Sequence, residues 1–508
     1  MSIFHLHSGA EPVERWLVRT KSSSTECIDQ WWIQRGLDKT QYVKETLPVE
    51  SWMVVELPSS AIPSLEALPC VDKVMQDQRI QWRNTVPNDP GYINQLNMNM
   101  IGMPKAWDIT TGGVTPRGDT IVIAVVDDGY DIQHEDLVPN IWLNKDEIPD
   151  DGIDNDNNGY IDDYKGLNVV KNNDQHPKEK HGTQVSGLIG ARGDNTIGMA
   201  GINWKVKLML ISGADFESKV IQAYQYAIDM RKKYNDTNGH QGAFVVATNL
   251  SGGINNAFAA DHPLWCEMYD KMGQVGILSV ASGPNQPISV DNDGDMPTTC
   301  TSPYLIAVTS VDQTDVLVDG AGFGSVSIDI GAPGENVLTL DLNNQYHAFG
   351  GTSAAAPHVA AVIGLLYSVP CLALLNDIDN NPDAVALKMK DFIFSTAKPN
   401  NSLDGITVTG KRLQADAAIK AAYEQCNTFI QPELKILSIL PNPVRLQKAR
   451  VNFLSIGDST DLEYDVYSTN GDRVYNAPIT SAEIGQGFFL LDTKPLAAAI
   501  YIVTLRNK

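Results

Sequence analysis

Ile121-Val-Ile-Ala-Val-Val-Asp127-Asp-Gly129 sets six apolar residues in a row, five of them β-branched, ahead of two carboxylates and a glycine. A strand with one wet face would alternate apolar and polar side chains. An unbroken apolar run instead predicts a strand covered on both faces, as in a parallel sheet with a helix layer on each side. The run from Thr120 to Val126 has three counterparts: Ala243-Phe-Val-Val-Ala-Thr-Asn-Leu250, Val275-Gly-Ile-Leu-Ser-Val-Ala281 and Tyr304-Leu-Ile-Ala-Val-Thr-Ser310. Between them, residues 217–234 carry an amphipathic helical pattern and residues 354–367 read as a largely buried helix. This alternation over residues 86–427 predicts a three-layer α/β domain on a mostly parallel sheet.

The flanks differ in pattern. Residues 1–85 hold short strand-like runs (15–19, 51–57) and a polar stretch at 76–84, expected to form a small α+β unit. Thr85-Val-Pro-Asn-Asp-Pro-Gly91 is rich in turn formers and reads as a linker. Residues 432–508 contain Pro441-Asn-Pro443, the alternating Leu462-Glu-Tyr-Asp-Val-Tyr467, an Asn470-Gly471 turn and Ile500-Tyr-Ile-Val-Thr-Leu505. They predict an antiparallel β-sandwich. No internal repeat or low-complexity tract interrupts the chain.

At 508 residues the chain exceeds what one core supports, so two or three domains are expected. The net charge of -23 argues against nucleic acid as a partner, since phosphate binding needs clustered Lys and Arg. It suits an exported protein or one that holds divalent cations, and it also fits plain solubility. None of the six cysteines forms a CxxC pair, which leaves little support for zinc or dithiol redox chemistry. Their spacing favours Cys27–Cys70, Cys266–Cys300 and Cys371–Cys426 disulfides in an oxidising compartment, with six buried thiols as the alternative. No apolar run is long enough to span a bilayer. The start, Met1-Ser-Ile-Phe-His-Leu-His-Ser, has neither a basic nor an apolar leader region, so export implies a leader already lost or a different start.

Three segments suggest chemistry. Asp127 closes a buried strand, and the carboxyl ends of such strands are where ligands collect in open α/β sheets. Alone it would read as a strand-capping Asp. His181-Gly-Thr183 opens a helix-like run of small and apolar residues, in which Gly182 permits close approach of another backbone. Gly350-Gly-Thr-Ser353-Ala-Ala-Ala-Pro357-His-Val359 sends a serine into a small-residue helix, with its hydroxyl and N–H at the positive helix end. Pro357 is expected in the first turn, where its missing N–H is harmless. Each segment alone has a plain structural explanation: a strand cap, a loop and a small-residue packing helix. Together they supply a nucleophile, an imidazole base and an orienting carboxylate.

In the order Asp, His, Ser, the markers Val126-Asp-Asp-Gly, His181-Gly-Thr and Gly351-Thr-Ser-Ala-Ala-Ala-Pro-His resemble the subtilisin-like peptidase family, supported by Ala332-Pro-Gly334 and His134-Glu-Asp-Leu137. The resemblance covers most of residues 86–427. It implies a secreted serine endopeptidase, acting on proteins or peptides, with Asp127, His181 and Ser353 as its triad. The family's oxyanion Asn follows a strand in an Ala-Gly-Asn-type sequence. Here Ala281-Ser-Gly-Pro-Asn285 makes Asn285 the candidate, with Pro284 as an added residue. By resemblance the pocket beside the scissile bond is lined by Ser251, Gly252 and Gly253 on one side and Ala281, Ser282 and Gly283 on the other. Their small size implies a roomy, little-charged pocket and broad specificity. The Asp127-Asp128 pair is similar to that of the kexin-like branch, which favours basic residues near the cleavage site. Ala354 stands where many relatives carry an oxidisable Met.

Asp154-Asn-Asp156-Asn-Asn158-Gly159-Tyr160-Ile-Asp162-Asp163 follows the spacing of a calcium loop, with Gly159 at the turn and the Tyr160 carbonyl available. Asp154, Asp156, Asn158, Tyr160, Asp162 and Asp163 are the expected ligands of a structural Ca²⁺; the position of the closing Glu holds Lys165. The alternative is a solvated acidic loop. Asp291-Asn-Asp293-Gly-Asp295 is a second, weaker candidate. His134 and His358 are expected to pack around the site without ligating.

By position, residues 1–85 resemble the prodomain of subtilisin-like zymogens, implying an intramolecular inhibitor. Leu440-Pro-Asn-Pro443, Tyr467-Ser-Thr-Asn-Gly-Asp472 and Ala499-Ile-Tyr-Ile502 resemble the C-terminal sorting domain of type IX secretion, implying that machinery as a partner and a secreted or cell-surface location. The usual basic-apolar strand beyond this point is missing, as for a truncated sequence. Two other readings stay open: a catalytically silent relative that binds proteins, and a calcium-stabilised adhesion protein.

Overall fold

Strand Ile121–Asp127 lies inside a nine-stranded sheet in the computed structural model of the protein. The structure describes residues 13–21, 26–46, 51–77, 85–429, 435–440, 448–454, 462–468, 473–480, 483, 488–493, 496 and 501–507. Across the sheet the order is Lys398–Pro399, Lys411–Arg412, Ile330–Pro333, Leu305–Val311, Leu278–Ser282, Phe244–Leu250, Ile121–Asp127, Lys207–Ser212 and Leu167–Asn168. All neighbours run parallel except the first pair. The expected strand at 275–281 begins only at Leu278, because Val275 caps the preceding helix Pro263–Gln274.

The unbroken apolar run has the cause expected of it. Ile121, Ile123 and Val125 face a core shared with helices Lys180–Gly190 and Thr352–Tyr367. Val122, Ala124 and Val126 face a second core shared with helices Glu217–Asp236 and Pro263–Gln274. Each fully buried Val or Ile contributes about 1.5–3 kcal/mol, so covering both faces roughly doubles what a half-exposed strand would yield. The strands on either side of Ile121–Asp127 are Lys207–Ser212 and Phe244–Leu250, both later in the chain. Its carboxyl end therefore sits where the winding of the sheet reverses, the place where open α/β sheets form a crevice.

Pro357 lies inside helix Thr352–Tyr367 and not in its first turn, because the helix starts directly after Gly351. Its missing N–H would have bonded the Ser353 carbonyl four residues back. That carbonyl accepts the Ser251 hydroxyl instead, at 3.1 Å.

The chain divides into the compact units Met1–Arg83 and Asn84–Lys508. In the first, strands Val43–Thr46, Trp52–Pro58, Val13–Thr20 and Val71–Gln76 form an antiparallel sheet in that order. Helix Glu26–Arg35 contributes Ile28, Trp31 and Trp32 to a core with Val18, Val55, Leu57 and Leu65. Near the C-terminus, Lys435–Leu440, Lys448–Leu454 and Phe488–Asp492 form one antiparallel sheet, and Arg473–Ile479, Leu462–Ser468 and Tyr501–Asn507 another. Val451 and Phe489 from the first share an apolar cluster with Leu462, Tyr464 and Val466 from the second. The Pro441-Asn-Pro443 stretch and the expected turn at 470–471 lie outside the described residues. Disulfides join Cys27 to Cys70, Cys266 to Cys300 and Cys371 to Cys426. Among the described residues no helix is long and apolar enough to cross a membrane.

Candidate active site

Asp127 is the last residue of its strand, and its Oδ1 accepts the Asp128 N–H at 2.9 Å. Helix Lys180–Gly190 brings His181 over it, and His181 Nδ1 donates to the same Oδ1 at 2.7 Å. Gly182 makes this possible. A Cβ there would lie 2.3 Å from the Gly129 carbonyl oxygen and 2.9 Å from the Asp127 Cβ. The Gly182 N–H donates to Asp128 Oδ1 at 3.1 Å, satisfying one of the unpaired donors of the helix start.

Burial pushes the Asp127 carboxyl up to about 6, against the opposing pull of the His181 hydrogen bond and charge. Its Oδ2 is buried without a partner among the described residues. Burial alone would lower the His181 pKa, but the Asp127 hydrogen bond and charge outweigh it, and the net direction is upward.

Ser353 enters its helix after Gly351, whose φ of 86° is left-handed and whose missing Cβ would stand 2.6 Å from Asn285 Oδ1. The Ser353 hydroxyl donates to the Ser251 carbonyl at 3.2 Å rather than to His181. Together with the Ser251 hydroxyl on the Ser353 carbonyl, this forms a reciprocal latch, steadied by Asn249 Nδ2 on Ser251 Oγ at 3.0 Å. Asn285 Oδ1 accepts the Thr352 N–H at 2.9 Å and the Thr352 hydroxyl at 3.0 Å. Because the backbone N–H can only donate, the amide orientation is fixed and Nδ2 is the end left for a ligand. Phe349, just before the glycines, stands edge-on to the His181 ring with centroids 5.6 Å apart.

A cavity of about 150 Å³ adjoins Ser353, lined by Ser251, Gly252, Gly253, Ser282, Gly283 and Asn285. Ala281 is not among its walls; it is buried in the core on the Glu217–Asp236 side of the sheet. Asp295 also lines the cavity, so its chemistry is not the little-charged one expected from the small residues. A second cavity, of about 390 Å³, is bounded by Asp128, Lys171, Glu179 and Asp215.

The acidic loop gathers differently from its sequence spacing. Glu147, Asp154 and Asp156 bring carboxylate oxygens within 4.8 Å of one another. Glu147 Oε1 accepts the N–H groups of Asn155 and Asp156, while Oε2 is buried without a partner among the described residues. Asp163 is buried nearby, holding Asn158 Nδ2 at 2.9 Å and the Tyr226 hydroxyl at 2.5 Å. Asp162 turns away to the N–H groups of Asp151 and Gly152, and Asn158 Oδ1 accepts the Tyr160 N–H at 2.8 Å. Hard carboxylate oxygens around an orphaned buried oxygen suit Ca²⁺. Glu147 escaped sequence reading because it precedes the loop. The second acidic candidate does not gather: Asp291 bonds the N–H groups of Val326 and Ser327, while Asp295 lines the cavity. His134 and His358 are buried packing residues, as expected; His358 Nε2 lies 2.9 Å from Asn97 Nδ2.

The model of the subtilase family matches residues 118–412. Subtilisin-like protease 1 of Plasmodium berghei is 27% identical over 383 residues, covering 70% of this chain and 58% of the relative. The chain thus spans somewhat over half of that protein's length. Thermitase of Thermoactinomyces vulgaris is 28% identical over 294 residues, covering 56% of this chain and 85% of the relative. Among solved structures, a Pseudoalteromonas arctica protease matches with a TM-score of 0.48 at 23% identity, covering 66% of this chain and all of its own.

The opposing influences on His181 give a direct test. In Asp127→Asn the negative charge is gone and burial remains, so the imidazole pKa, followed by NMR titration, should drop below that of the unmodified protein. An unchanged or higher value would contradict the pairing.

Proposed function

The chain belongs to the subtilase family, and on that premise we propose that it is a secreted serine endopeptidase, made as a zymogen, that hydrolyses peptide bonds through an acyl-enzyme. The observation that carries this reading is the 2.7 Å bond between His181 and Asp127 at the carboxyl end of the sheet's reversal strand. Ser353 Oγ exchanges its bond to the Ser251 carbonyl for one to His181 Nε2 as substrate enters; such bonds commonly tighten only in the substrate complex. Ser353 Oγ then attacks the peptide carbonyl while His181 takes its proton. Asp127 holds the imidazole tautomer and stabilises the imidazolium. The Ser353 N–H and Asn285 Nδ2 receive the developing oxyanion. His181 returns the proton to the leaving amine, and water repeats the sequence on the acyl-enzyme. Small-walled Ser251, Gly252, Gly253, Ser282 and Gly283 accommodate the residue on the acyl side.

Residues 1–85 serve in this reading as the inhibitory prodomain. The C-terminal strands form a sandwich that addresses the protein to type IX secretion, a role resting on the Leu440-Pro-Asn-Pro443 and Ala499-Ile-Tyr-Ile502 resemblances. Ser353→Ala should abolish fluorophosphonate labelling and casein hydrolysis, and Asn285→Ala should lower kcat by roughly 10²–10³. Casein cleavage retained by purified Ser353→Ala would end the assignment.

Ca²⁺ fits the acidic loop, held by Glu147, Asp154 and Asp156. When bound it offsets the mutual repulsion of these carboxylates and ties the loop to the domain. Binding only the folded state stabilises by mass action, about 2.7 kcal/mol at a hundredfold excess over Kd. Adding chelator should therefore lower the melting temperature of the native protein, and Glu147→Gln should shrink the difference. Identical melting with and without Ca²⁺ would count against the site.

A further inference from the structure

One carboxylate beside Ser353 takes no part in the steps above. Asp295 is 2% exposed, yet it lines the cavity next to the nucleophile together with Ser251, Gly253 and Ser282. Its place follows from backbone register. Asp295–Met296 pairs antiparallel with Ile254–Asn255, Asp295 opposite Asn255, which sets the carboxylate against the segment that latches Ser353.

Two other buried aspartates have cations within the chain: Asp131 pairs with Lys178 and Asp341 with Lys180. Asp136 and Asp163 are each met by several uncharged donors instead, Asp136 by the Asn195 amide and the Met199 N–H, Asp163 by the Asn144 and Asn158 amides and the Tyr226 hydroxyl. Asp295 has Thr298: the hydroxyl donates to Oδ2 at 2.6 Å and lies 3.3 Å from the Asp295 carbonyl. No Lys, Arg or His among the described residues offsets its charge, and burial pushes its carboxyl up to about 7. A buried carboxylate without a cation is costly unless it takes up a proton or binds a cation from outside. A cavity open beside it gives a place from which the missing cation can arrive.

We propose that Asp295 makes this cavity a receptor for a basic side chain, so that the enzyme cleaves on the carboxyl side of Arg or Lys. The inference rests on the hydrolase reading above and narrows its substrate class. The 150 Å³ space equals about five water volumes at roughly 30 Å³ each, a slot that suits an unbranched side chain with a charged head. Glycines at 252, 253 and 283 leave its walls free of side chains that would block the stem. An ammonium or guanidinium forms charge-assisted hydrogen bonds with Asp295, whereas an apolar side chain removes the last water from an uncompensated charge. Discrimination between the two therefore comes from both directions.

The test uses the processed enzyme and peptides that differ only in the residue on the acyl side of the cleaved bond: Arg, Lys, Leu, Phe or Glu. In the wild type, kcat/KM for Arg and Lys should exceed that for Leu and Phe by about 100-fold. Asp295→Asn should collapse the Arg-to-Leu ratio by a similar factor, and Asp295→Glu should retain a basic preference. A role limited to bracing Thr298 would lower all substrates together and leave the ratio unchanged, overturning the proposal. So would a wild-type preference for Leu or Phe, which settles the matter even if Asp295→Asn does not fold. Fluorophosphonate labelling of Ser353 separates the two levels. Labelled enzyme without basic preference defeats the pocket assignment alone; unlabelled wild type defeats the hydrolase reading and the pocket with it.

Discussion

At Gly182 the backbone of one helix touches the carbonyl of another segment so closely that a methyl group would meet the Gly129 oxygen at 2.3 Å and the Tyr130 ring at 2.8 Å. Neither neighbour can give way. Gly129 is held in turn by the Pro177 carbonyl, 2.3 Å from where its own Cβ would stand, and the Tyr130 hydroxyl is bonded to the carbonyls of Val125 and Ile211. The absence of one side chain thus sets the height of the helix above the sheet, and that height sets the 2.7 Å contact of His181 with Asp127. Hydrogen bonding follows from the packing here, since a helix raised by a methyl would leave a buried carboxylate without its imidazole, at a cost of several kcal/mol.

The Ser353 side of the site is fixed by a different device. A proline inside a helix ordinarily strands a carbonyl. At Pro357 the stranded group belongs to Ser353, and Ser251 supplies the donor. The same segment receives the Ser353 hydroxyl, while Thr352 engages Asn285 and the Gly283 carbonyl. Each neutral bond is worth only about 0.5–1.5 kcal/mol. Their larger effect is geometric: the helix start, the Ser251 segment and the Asn285 loop lie in one frame, so the Ser353 N–H and Asn285 Nδ2 are held in fixed positions beside the cavity.

Much of the frame was legible because each sheet position carries its own record of burial. Strand Ile121–Asp127 has no polar residue before its end, which only a doubly covered strand can tolerate. Strand Lys207–Ser212 passed unnoticed because it is short and opens on a half-exposed lysine, with no β-branched residue but Ile211. The hairpin of Val337–Asp341 and Gln345–Phe349 did carry a signal: its three-residue loop 342–344 contains Asn343 and Asn344, which both take positive φ, a conformation asparagine adopts more readily than most residues. At the site, sequence order identified Asp127 and His181, which the structure joins. The latch through Ser251, the escape of Ala281 into the core and the arrival of Glu147 at the acidic loop depend on tertiary approach, which spacing does not encode.

Asp295 shows most clearly how spacing can mislead. In Asp291-Asn-Asp293-Gly-Asp295 the carboxylates recur at every second residue, the pattern of a cation loop. The chain forms a helical turn at Val290–Asp293 and then reverses through Gly294 at φ 78°. Asp291 is thereby sent to cap the N–H groups of Val326 and Ser327, and Asp295 into a short ladder beside Ile254–Asn255. Two carboxylates that might have shared one ion end in unrelated surroundings. Asp127 and Asp295 then form an instructive contrast near the same serine. Both are raised by burial, to about 6 and about 7, but the first is met by an imidazole of its own chain and the second, among the described residues, by the uncharged hydroxyl and backbone of Thr298. Burial without a cation disfavours the charged carboxylate, and at Asp295 the cavity that adjoins Ser353 lies open beside it.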